Sequence, residues 1–237
     1  MSAPVFLADD LGPDRVVLTG PEGRHAATVR RLRAGEVVEL CDGRGGRASC
    51  VVAAVGRDEV ALEVRSRTRE PAPSPRLVLV QALAKGDRGE LAVELATEVG
   101  VDLVVPWAAA RSVVRWDGAR GDKARERWRA TAREAGKQSR RAWLPEVAPL
   151  ERTAQVAARL AAAAGLVLHE AAATPLTQVA LPGEGDVVLV VGPEGGIGED
   201  ELAALGGTAV RLGPTVLRTS TAGAAALAVL SARTGRW

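Results

Sequence analysis

The sequence predicts an α/β protein in which a small N-terminal β-barrel precedes a domain with a mostly parallel sheet. Three observations lead to this prediction. Short apolar runs separated by turns fill the first 70 residues, the proline-rich stretch Glu70-Pro71-Ala72-Pro73-Ser74-Pro75 follows, and apolar strands then alternate with helical segments. We therefore predict a barrel over residues 1–70, a semi-rigid linker over residues 71–75 and an α/β domain over residues 76–237.

The N-terminal part contains five short apolar runs, each of which predicts a strand. Asp42-Gly43-Arg44-Gly45-Gly46 separates the third run from the fourth as a hairpin turn, and Pro21 suits the first turn of a short helix over about Pro21–Leu32. Short strands with frequent turns predict a small barrel. The five predicted strands are Val5–Ala8, Arg15–Leu18, Val37–Cys41, Ala48–Val55 and Val60–Val64.

The C-terminal part begins with an apolar run, Leu77–Leu83, that predicts a strand. Asp87 is placed to cap the helix that follows, because its side chain can accept a hydrogen bond from the first turn. The helical spacing of Leu91, Leu95 and Val99 predicts that these side chains form the buried face of this helix.

The later strands of this part alternate with helices. A parallel sheet built in this way binds its ligands at the carboxyl ends of its strands. The predicted strands are Val101–Pro106, Leu166–His169, Val187–Val191 and Ala209–Leu212, and the predicted helices cover about Asp122–Arg141 and begin near Glu199 and Thr221.

Composition and charge exclude several classes of protein. A hydrophobic content of 47% is enough for a packed core, and no apolar run is long enough to cross a bilayer. Met1–Asp10 lacks the basic and apolar regions of a secretory signal, and Cys41 and Cys50 show neither metal-ligand spacing nor a disulfide framework. We therefore expect a cytoplasmic protein without a bound metal.

The net charge of +2 carries no information about nucleic acid, because the distribution of charge matters more.

The strongest local signal is a glycine-dense turn, Gly192-Pro193-Glu194-Gly195-Gly196, which follows the strand Val187–Val191. Glycines let a backbone approach a ligand closely, although a tight strand-to-helix turn also needs them for geometry alone. Glu194 and the acids after it would repel an anion, and both the G-x-G-x-x-G fingerprint and the Walker lysine are missing. A ligand with a positive or neutral centre, contacted by main-chain groups, fits this turn better than a phosphate.

The same design of strand, Gly-Pro, loop and helix returns further along the chain at Gly213-Pro214. Thr219, Ser220 and Thr221 stand where the helix begins, so their hydroxyls either cap the helix or bind a ligand. Arg218 beside them is a cation at the electrostatically unfavourable end of a helix. This placement hints at an anionic partner, and a surface salt bridge would also explain it.

A basic helix is the third signal, because residues 120–143 carry nine Arg or Lys residues against three acids. Arg125, Arg129, Arg133 and Lys137 repeat every four residues, so they are predicted to form one ridge that binds the phosphates of a polyanion. The alternative is a solvated face with ion pairs to Glu126 and Glu134, which explains only part of the excess of nine bases over three acids.

The two histidines are weaker candidates. His25, with Arg30 and Arg31 close by in the sequence, either contacts an RNA backbone or simply lies on the surface. His169 ends an apolar strand, where a structural hydrogen bond and a role in a ligand site are both open.

Spaced motifs run along the whole chain, and several in the right order are far more specific than any single one. They are His25-x-x-x-Val29-x-Arg31 with Gly35, Lys85-Gly86-Asp87-Arg88, Glu98-Val99-Gly100-Val101, Pro106, Arg111-Ser112-Val113-Val114, Glu134-Ala135 with Gln138-Ser139, Arg141 to Pro145, Val190 to Gly196 and Leu212 to Ala222. Together these motifs resemble the SPOUT superfamily of knotted RNA methyltransferases. Within it, the sequence is similar to the bacterial enzymes that methylate N3 of a uridine in 16S ribosomal RNA.

The resemblance implies a PUA-like barrel followed by an α/β domain whose C-terminal segment forms a trefoil knot. It also implies S-adenosylmethionine as the cofactor, ribosomal RNA or the small ribosomal subunit as the substrate, and a homodimer. The candidate cofactor contacts are Leu168, His169, Gly192, Pro193, Glu194, Gly195, Gly196, Leu212, Gly213, Leu217, Arg218, Thr219, Ser220 and Thr221. The candidate RNA contacts are His25, Arg30, Arg31, Lys85, Arg88, Arg111, Arg125, Arg129, Arg133, Lys137, Arg140 and Arg141.

Arg218 is the candidate catalytic residue, as a stabiliser of the negative charge that develops on the target base. The proton acceptor is open between Glu194, His169 and solvent. Many relatives have a glutamate where Ser220 stands, so this chain lacks a carboxylate base at that position. At three other positions this chain has a basic residue where many relatives have a different residue. These positions are Arg30, Lys137 and Arg140.

Three alternatives are open from the sequence. A non-catalytic RNA-binding or ribosome-assembly factor would share the barrel and the basic helix but would not need two glycine-rich loops. A nucleotide-dependent dehydrogenase or hydrolase would carry a phosphate fingerprint that is missing here. A related knotted enzyme acting on transfer RNA or on 2′-hydroxyl groups would share the family-level motifs. The enzyme hypothesis requires the turns after Val191 and Leu212 to meet in one pocket.

Overall fold

The computed structural model describes residues 3–237, which divide into two compact units. The first unit comprises the described residues up to Ala72 together with Gly136–Leu144. The second comprises Pro73–Ala135 and Pro145–Trp237. A short segment within the predicted α/β domain therefore packs with the N-terminal unit. None of the helices within residues 3–237 combines the length and the apolar character needed to span a membrane.

The first unit is built on a curled five-stranded sheet. Its strands are β1 (Val5–Leu7), β2 (Arg15–Leu18), β3 (Val37–Cys41), β4 (Gly46–Val55) and β5 (Val60–Arg69). They lie in the order β1-β3-β4-β5-β2, with β1 parallel to β3 and the other neighbours antiparallel. Alternate residues of β4 are buried at Ala48, Cys50 and Val52, as expected for a strand with one face toward a core.

The helix predicted over Pro21–Leu32 is shorter and irregular. Helix α1 covers Gly20–Arg24 and continues into one π-helical turn, His25–Val29. The chain then turns sharply because Arg31 adopts the left-handed conformation, with φ 53°. This turn brings Leu32 into the core of the unit, where its N–H donates to the Ala26 carbonyl at 3.1 Å.

The second unit is built on a parallel sheet. Its strands are β6 (Arg76–Ala82), β7 (Leu103–Ala108), β8 (Glu146–Val147), β9 (Glu151–Arg152), β10 (Ala164–Leu168), β11 (Thr174–Pro175), β12 (Asp186–Val191) and β13 (Thr208–Arg211). Seven strands follow the order β11-β13-β10-β12-β6-β7-β8, and β9 also pairs with β7. All of these pairings are parallel, so the prediction of a mostly parallel sheet is confirmed.

Helices cover both faces of this sheet. They are α2 (Arg88–Glu98), α3 (Gly118–Gln138), α4 (Thr153–Ala161), α5 (Glu199–Leu205) and α6 (Thr219–Arg233). On one face, Leu77 and Leu79 of β6 pack in the same core as Leu227 of α6, and on the other face, Val78 of β6 shares a core with Leu160 of α4. Successive residues of a strand point to opposite faces, which is why a sheet covered on both sides has continuously apolar strands.

The buried face of α2 differs from the prediction. Leu91 is 40% exposed, so its assignment to the buried face is wrong, and the buried residues are Gly89, Ala92, Val93 and Ala96 with Thr97. The reason is close packing, since a Cβ on Gly89 would lie 2.8 Å from the Trp128 side chain of α3. Small residues let the helices approach, whereas a leucine at the interface would hold them apart.

Candidate functional site

A pocket of about 670 Å³ lies in the second unit, at the carboxyl ends of β10, β12 and β13. Its wall consists of residues 168–170, 191–197 and 210–219, together with Arg88, Arg111 and Ala222. The glycine-bearing turns after Val191 and Leu212 thus meet in one pocket. The carboxyl edge of a parallel sheet is where ligands of such folds bind.

Most of the predicted cofactor contacts lie in the wall of this pocket. The exceptions are Ser220, which is buried in α6, and Thr221, whose hydroxyl donates to the Arg218 carbonyl at 3.2 Å as a local cap. Arg88 and Arg111, which the sequence suggested as RNA contacts, line the pocket as well. The predicted cofactor contacts in the wall are Leu168, His169, Gly192, Pro193, Glu194, Gly195, Gly196, Leu212, Gly213, Leu217, Arg218 and Thr219.

The glycines of the turn after β12 have two separate roles. Gly196 has a φ of +68°, which glycine adopts without strain, and its N–H donates to the Pro193 carbonyl at 2.9 Å. A Cβ on Gly195 or Gly198 would come within 3.2 or 3.1 Å of the Arg111 side chain. Gly195 and Gly198 therefore leave room for the Arg111 side chain. Its guanidinium donates a hydrogen bond to the Gly195 carbonyl at 3.1 Å.

The Glu194 carboxylate ties the turn after β12 to the turn after β6. It accepts hydrogen bonds from the Lys85 N–H and from the Arg88 guanidinium, both at 3.0 Å. Burial alone would raise the pKa of Glu194, but hydrogen bonds from the N–H groups of Glu194 and Lys85, together with Arg88, outweigh burial and lower this pKa. Glu194 is therefore ionised and held by its partners, which makes it a poor proton acceptor.

Glu201 is a buried carboxylate that the sequence did not single out. Its Oε1 accepts hydrogen bonds from the Ala110 N–H and the Thr153 hydroxyl, both at 2.8 Å, and the Trp107 indole donates to the same hydroxyl at 3.3 Å. Because Ala110 directly precedes Arg111, this network fixes the loop that presents Arg111 to the pocket. The sequence gives three adjacent acids at the start of α5 but does not indicate which one is buried.

The start of α6 forms another wall of the pocket. Arg218 precedes the helix in an extended conformation and is exposed, and within residues 3–237 its guanidinium makes no hydrogen bond or ion pair. The Thr219 hydroxyl donates to the Gly192 carbonyl at 2.8 Å and accepts from the Gln81 amide at 2.9 Å. Gln81 is fully buried at the end of β6, and its only sequence signal is a polar residue within an apolar run.

His169 lies in the wall where β10 ends, and it is half-buried. Its Nδ1 accepts a hydrogen bond from the Ala171 N–H at 3.3 Å, and its backbone N–H donates to the Val210 carbonyl at 2.9 Å. A nitrogen that accepts from an N–H carries no proton, so in the neutral ring the proton is on Nε2. His169 therefore makes a structural hydrogen bond and also lies in the pocket wall.

The loop between β13 and α6 offers main-chain groups to a ligand. In the described part of the chain, residues 213–217 make no hydrogen bonds, and a Cβ on Gly213 would meet nothing within 4 Å. Val216 and Leu217 add exposed apolar side chains beside this backbone. Free amide and carbonyl groups next to apolar surface suit a ligand that is partly apolar and partly polar.

The basic helix α3 does not form the predicted ridge along its whole length. Arg129 and Arg133 are exposed, but Arg125 is half-buried and donates to the Val147 carbonyl at 3.0 Å. Lys137 is buried in the first unit, where its Nζ lies 2.9 Å from Glu22 and 5.5 Å from the centre of the Phe6 ring. The prediction that Lys137 lies on an accessible ridge is wrong, because its side chain is buried. Its ammonium group neutralises the charge of the largely buried Glu22 carboxylate.

Other predicted RNA contacts belong to the first unit. Arg30 and Arg31 are exposed beside the π-helical turn, and His25 packs edge-to-face on Phe6 with ring centres 5.9 Å apart. Arg140 is exposed and donates to the Ala3 carbonyl at 3.0 Å. The Arg141 side chain is half-buried, and its Nε donates to the Trp143 carbonyl at 3.0 Å. Across residues 3–237, no group of three or more His, Cys, Asp or Glu side chains is arranged to hold a metal ion.

Models of two protein families match the chain. Residues 70–231 match an RNA methyltransferase domain, and residues 18–65 match an RNA methyltransferase PUA domain. The first match covers the whole pocket and the parallel sheet, and the second covers most of the five-stranded sheet.

Individual relatives agree with these matches. Over its full length the chain is 50% identical to the ribosomal RNA small subunit methyltransferase E of Mycobacterium bovis, covering 94% of that protein. It is 33% identical to the protein of the same name from Bacillus subtilis, with 92% and 90% of the two chains covered. The structure superimposes with a TM-score of 0.88 and 27% identity on the crystal structure of a Neisseria gonorrhoeae protein of that name bound to S-adenosyl methionine, with 98% of both chains covered.

Proposed function

The chain belongs to the RNA methyltransferase family that includes the ribosomal RNA small subunit methyltransferase E proteins, and from this premise we propose that it transfers a methyl group from S-adenosylmethionine to a uridine of 16S ribosomal RNA. The observation that carries this proposal is the convergence of two glycine-bearing turns on one pocket at the carboxyl edge of the sheet. A protein that only bound RNA would not need such a pocket.

Features of the pocket fit S-adenosylmethionine, which when bound supplies an electrophilic methyl group on a positively charged sulfur. At Gly196 and Gly213 a Cβ would meet nothing within 4 Å, so these positions face open space. The main chain of residues 213–217 is free to contact a ligand, and the wall carries charged groups of both signs, with Glu170 and Glu194 beside several arginines. The residues that would hold the cofactor are Leu168, His169, Gly192, Pro193, Glu194, Gly195, Gly196, Leu212, Gly213, Leu217 and Thr219.

The proposed target atom is N3 of the uracil ring. The enzyme must hold N3 in line with the reactive methyl group, and such positioning alone accelerates a transfer strongly. The base has to leave its stack to reach the pocket. Arg218, exposed beside the pocket and without a partner among the described residues, is the group proposed to stabilise the negative charge that develops on the uracil ring.

The chain's own groups argue for solvent as the acceptor of the N3 proton. Glu194 is ionised but engaged by Lys85 and Arg88, and its lowered pKa makes it a weak base. His169 keeps its unprotonated nitrogen on the Ala171 N–H and therefore presents a donor at Nε2. A guanidinium beside the ring favours the deprotonated base, so a strong general base is not required.

We also propose roles for the parts of the chain. Residues 1–70 act as a PUA-like RNA-binding barrel, residues 71–75 as a linker and residues 76–237 as the methyltransferase domain, and the family matches over 18–65 and 70–231 support this division. The exposed arginines proposed to contact RNA are Arg30, Arg31, Arg129, Arg133 and Arg140.

Three further expectations belong to the same proposal. A trefoil knot in the C-terminal segment is supported by β12 lying between β6 and β10, with α6 returning from β13 to pack on β6. A homodimer is expected from the family resemblance, and sedimentation velocity at micromolar concentration should give twice the mass of 24.6 kDa. A cytoplasmic location fits a ribosomal RNA substrate and two free cysteines.

The proposal is tested by mass spectrometry of ribosomal RNA from a strain that lacks the gene. We expect one N3-methyluridine to disappear from 16S ribosomal RNA and to return when the wild-type gene is restored. Unchanged methylation in the deletion strain would overturn the proposal.

A matched pair of variants tests the pocket itself. Gly213→Leu places a side chain in the open space of the pocket, whereas Gly183→Leu adds the same side chain at an equally open position outside it. We expect calorimetry to detect at least tenfold weaker S-adenosylmethionine binding for the first variant only. Equal binding by both variants would show that this pocket does not hold the cofactor.

A further inference from the structure

Gln81 is a polar residue near the end of the interior strand β6, and the proposed function gives it no role. It is fully buried on β6 between Val80 and Ala82, which are also fully buried. Its Oε1 is buried and has no hydrogen-bond partner among the described residues. Buried polar atoms are nearly always paired, so a side chain kept here with an unpaired acceptor calls for an explanation.

The orientation of the Gln81 amide follows from its neighbours. The Nε2 atom lies 2.9 Å from the Thr219 Oγ1 atom and 3.3 Å from the Ala82 carbonyl oxygen. A carbonyl oxygen can only accept a hydrogen bond, so the nitrogen and not the oxygen of the amide must face Ala82. The same NH₂ group therefore donates to Thr219.

This orientation also determines where the Thr219 proton points. A hydroxyl has a single proton, and Thr219 Oγ1 is already an acceptor for Gln81. Its proton is then free to donate only toward another acceptor, and the Gly192 carbonyl oxygen lies 2.8 Å away. The amide thus directs the hydroxyl at the first residue of the glycine turn that follows β12.

The resulting chain of hydrogen bonds joins three elements at the wall of the pocket. Gln81 belongs to β6, Gly192 follows β12 and Thr219 begins α6. One turn further along α6, a Cβ on Gly223 would lie 3.2 Å from the Leu79 side chain, so the helix also lies very close to β6 at that point. Thr219 and Gly192 line the pocket, whereas Gln81 does not.

We propose that Gln81 is a positioning residue for the cofactor pocket: by donating to Thr219, it aims the Thr219 hydroxyl at the Gly192 carbonyl and so locks the glycine turn to the start of α6. The inference rests on the proposed function for the identity of the ligand. The lock itself is a property of the ligand-free chain. It favours binding because a preorganised pocket loses less entropy when the ligand binds.

Substitutions at Gln81 separate this role from simple packing. Gln81→Met keeps the size of the side chain but removes the donor, so the Thr219 hydroxyl stays free to bond Gly192, and we expect about threefold weaker S-adenosylmethionine binding. Gln81→Glu replaces the donor by an acceptor that attracts the Thr219 proton away from Gly192, and we expect about tenfold weaker binding. A packing role would not produce this order.

Variants of Thr219 and a distant threonine complete the series. Thr219→Val removes the hydroxyl and should weaken binding about tenfold, whereas Thr219→Ser keeps it and should recover most of the affinity. Thr97→Val makes the same change in α2, where the buried threonine bonds the Val93 carbonyl. It should lower the melting temperature without weakening binding.

Calorimetry with S-adenosylmethionine measures the affinities, and hydrogen exchange of residues 192–198 in the ligand-free protein measures the lock directly. Faster exchange in Gln81→Glu and Thr219→Val than in wild type is the expected result. Wild-type exchange in both variants, or equal loss of binding in Thr97→Val and Thr219→Val, would overturn the inference. A wild-type protein that binds no S-adenosylmethionine would instead overturn the proposed function, while the exchange data would still test the lock.

Discussion

The Glu194 carboxylate is subject to opposing influences that set its charge state. Burial raises its pKa, while hydrogen bonds from two N–H groups and the Arg88 guanidinium lower the pKa by a larger amount in sum. A carboxylate whose pKa is lower in the folded chain contributes stability above its ordinary value of about 4.3. This contribution is lost as the pH falls through the lower pKa of the folded state.

We therefore predict that Glu194→Gln lowers the free energy of unfolding by about 1 kcal/mol at pH 7, since the contacts are partly exposed. The difference from wild type should shrink as the pH falls toward 3, because the wild-type carboxylate is then increasingly protonated. Urea unfolding at the two pH values measures it. Glu170→Gln, at the exposed rim, is the control, and a difference that does not change with pH would contradict the prediction.

Arg218 provides the second prediction at this scale. In the role proposed above, its guanidinium acts on charge that exists mainly in the transition state, so Arg218→Ala should lower kcat about a hundredfold. The affinity for S-adenosylmethionine should change less than about threefold, because the ground state lacks that charge. Single-turnover methylation and calorimetry measure the two quantities. Arg115→Ala, an exposed arginine outside the pocket, should leave both unchanged, and a variant of Arg218 with wild-type turnover would exclude the role.

At the residue scale, the residues that sequence reasoning placed together, and that do line one pocket, are those with a local signal. The glycine turns and Arg218 belong to short segments whose composition is unusual by itself. Gln81 and Glu201 were missed because their importance comes from burial, which depends on neighbours far away in the chain. Lys137 was misjudged for the same reason, since nothing local distinguishes a lysine paired with Glu22 from one in solvent.

At the scale of elements, the contact between α2 and α3 depends on a missing side chain. Gly89 is buried in the first turn of α2, directly against the Trp128 indole. Alanine is the better helix former by about 1 kcal/mol, so propensity alone predicts that Gly89→Ala stabilises the protein. The added Cβ would meet the indole at 2.8 Å, however, and a rigid ring cannot move aside cheaply.

We predict that packing outweighs propensity, so Gly89→Ala should lower the free energy of unfolding by about 1–2 kcal/mol. Thermal and urea unfolding measure the change. Glu94→Ala, on the exposed side of the same helix, should stay within about 0.5 kcal/mol of wild type. Stabilisation by Gly89→Ala would mean that α2 and α3 are not in this close contact.

Elements with strong apolar patterns were predictable, and weakly patterned ones were not. The interior strands β6 and β12 are continuous apolar runs that the sequence located within a residue or two. Helix α4 was missed because only Val156 and Leu160 of its residues are buried, too few to form a visible period. The two-residue strands β8 and β9 depend on pairing with β7 and carry no pattern of their own.

For the whole molecule, we expect the distribution of charge to determine how RNA is held. The excess of basic residues in 120–143 is partly used internally, since Lys137 and Arg125 have protein partners. Arg133 is exposed and is free to contact phosphate. We predict that Arg133→Ala makes the salt dependence of ribosomal RNA binding less steep. The slope of the logarithm of the association constant against the logarithm of the salt concentration should shrink in magnitude by about 1.

Lys137→Gln is the matched comparison for that prediction. It removes one partner of a buried ion pair, so it should lower the stability of the N-terminal unit by about 3 kcal/mol. The salt slope should not change. Filter binding at several salt concentrations and urea unfolding separate the two effects, and a reduced slope for Lys137→Gln alone would reverse the assignment.

The strand order is the part of the fold that the residue pattern alone could not supply. Apolar runs and glycine turns predict that parallel strands exist, but not that β12 lies between β6 and β10. That order depends on which strands pair across long stretches of chain. The resemblance to a family supplied the missing information, because related sequences share a topology that no local pattern encodes.

The pocket wall draws on segments from Arg88 to Ala222, more than a hundred residues apart in the chain. On the ribosome, the barrel and the first strands of the sheet emerge well before β13 and α6. A nascent protein interrupted near Arg211 would therefore have a finished N-terminal unit and an incomplete pocket. Only a chain that has been synthesised and folded as far as α6 has the whole wall of the proposed cofactor pocket. Binding of the protein to an S-adenosylhomocysteine resin would therefore separate such chains from shorter ones.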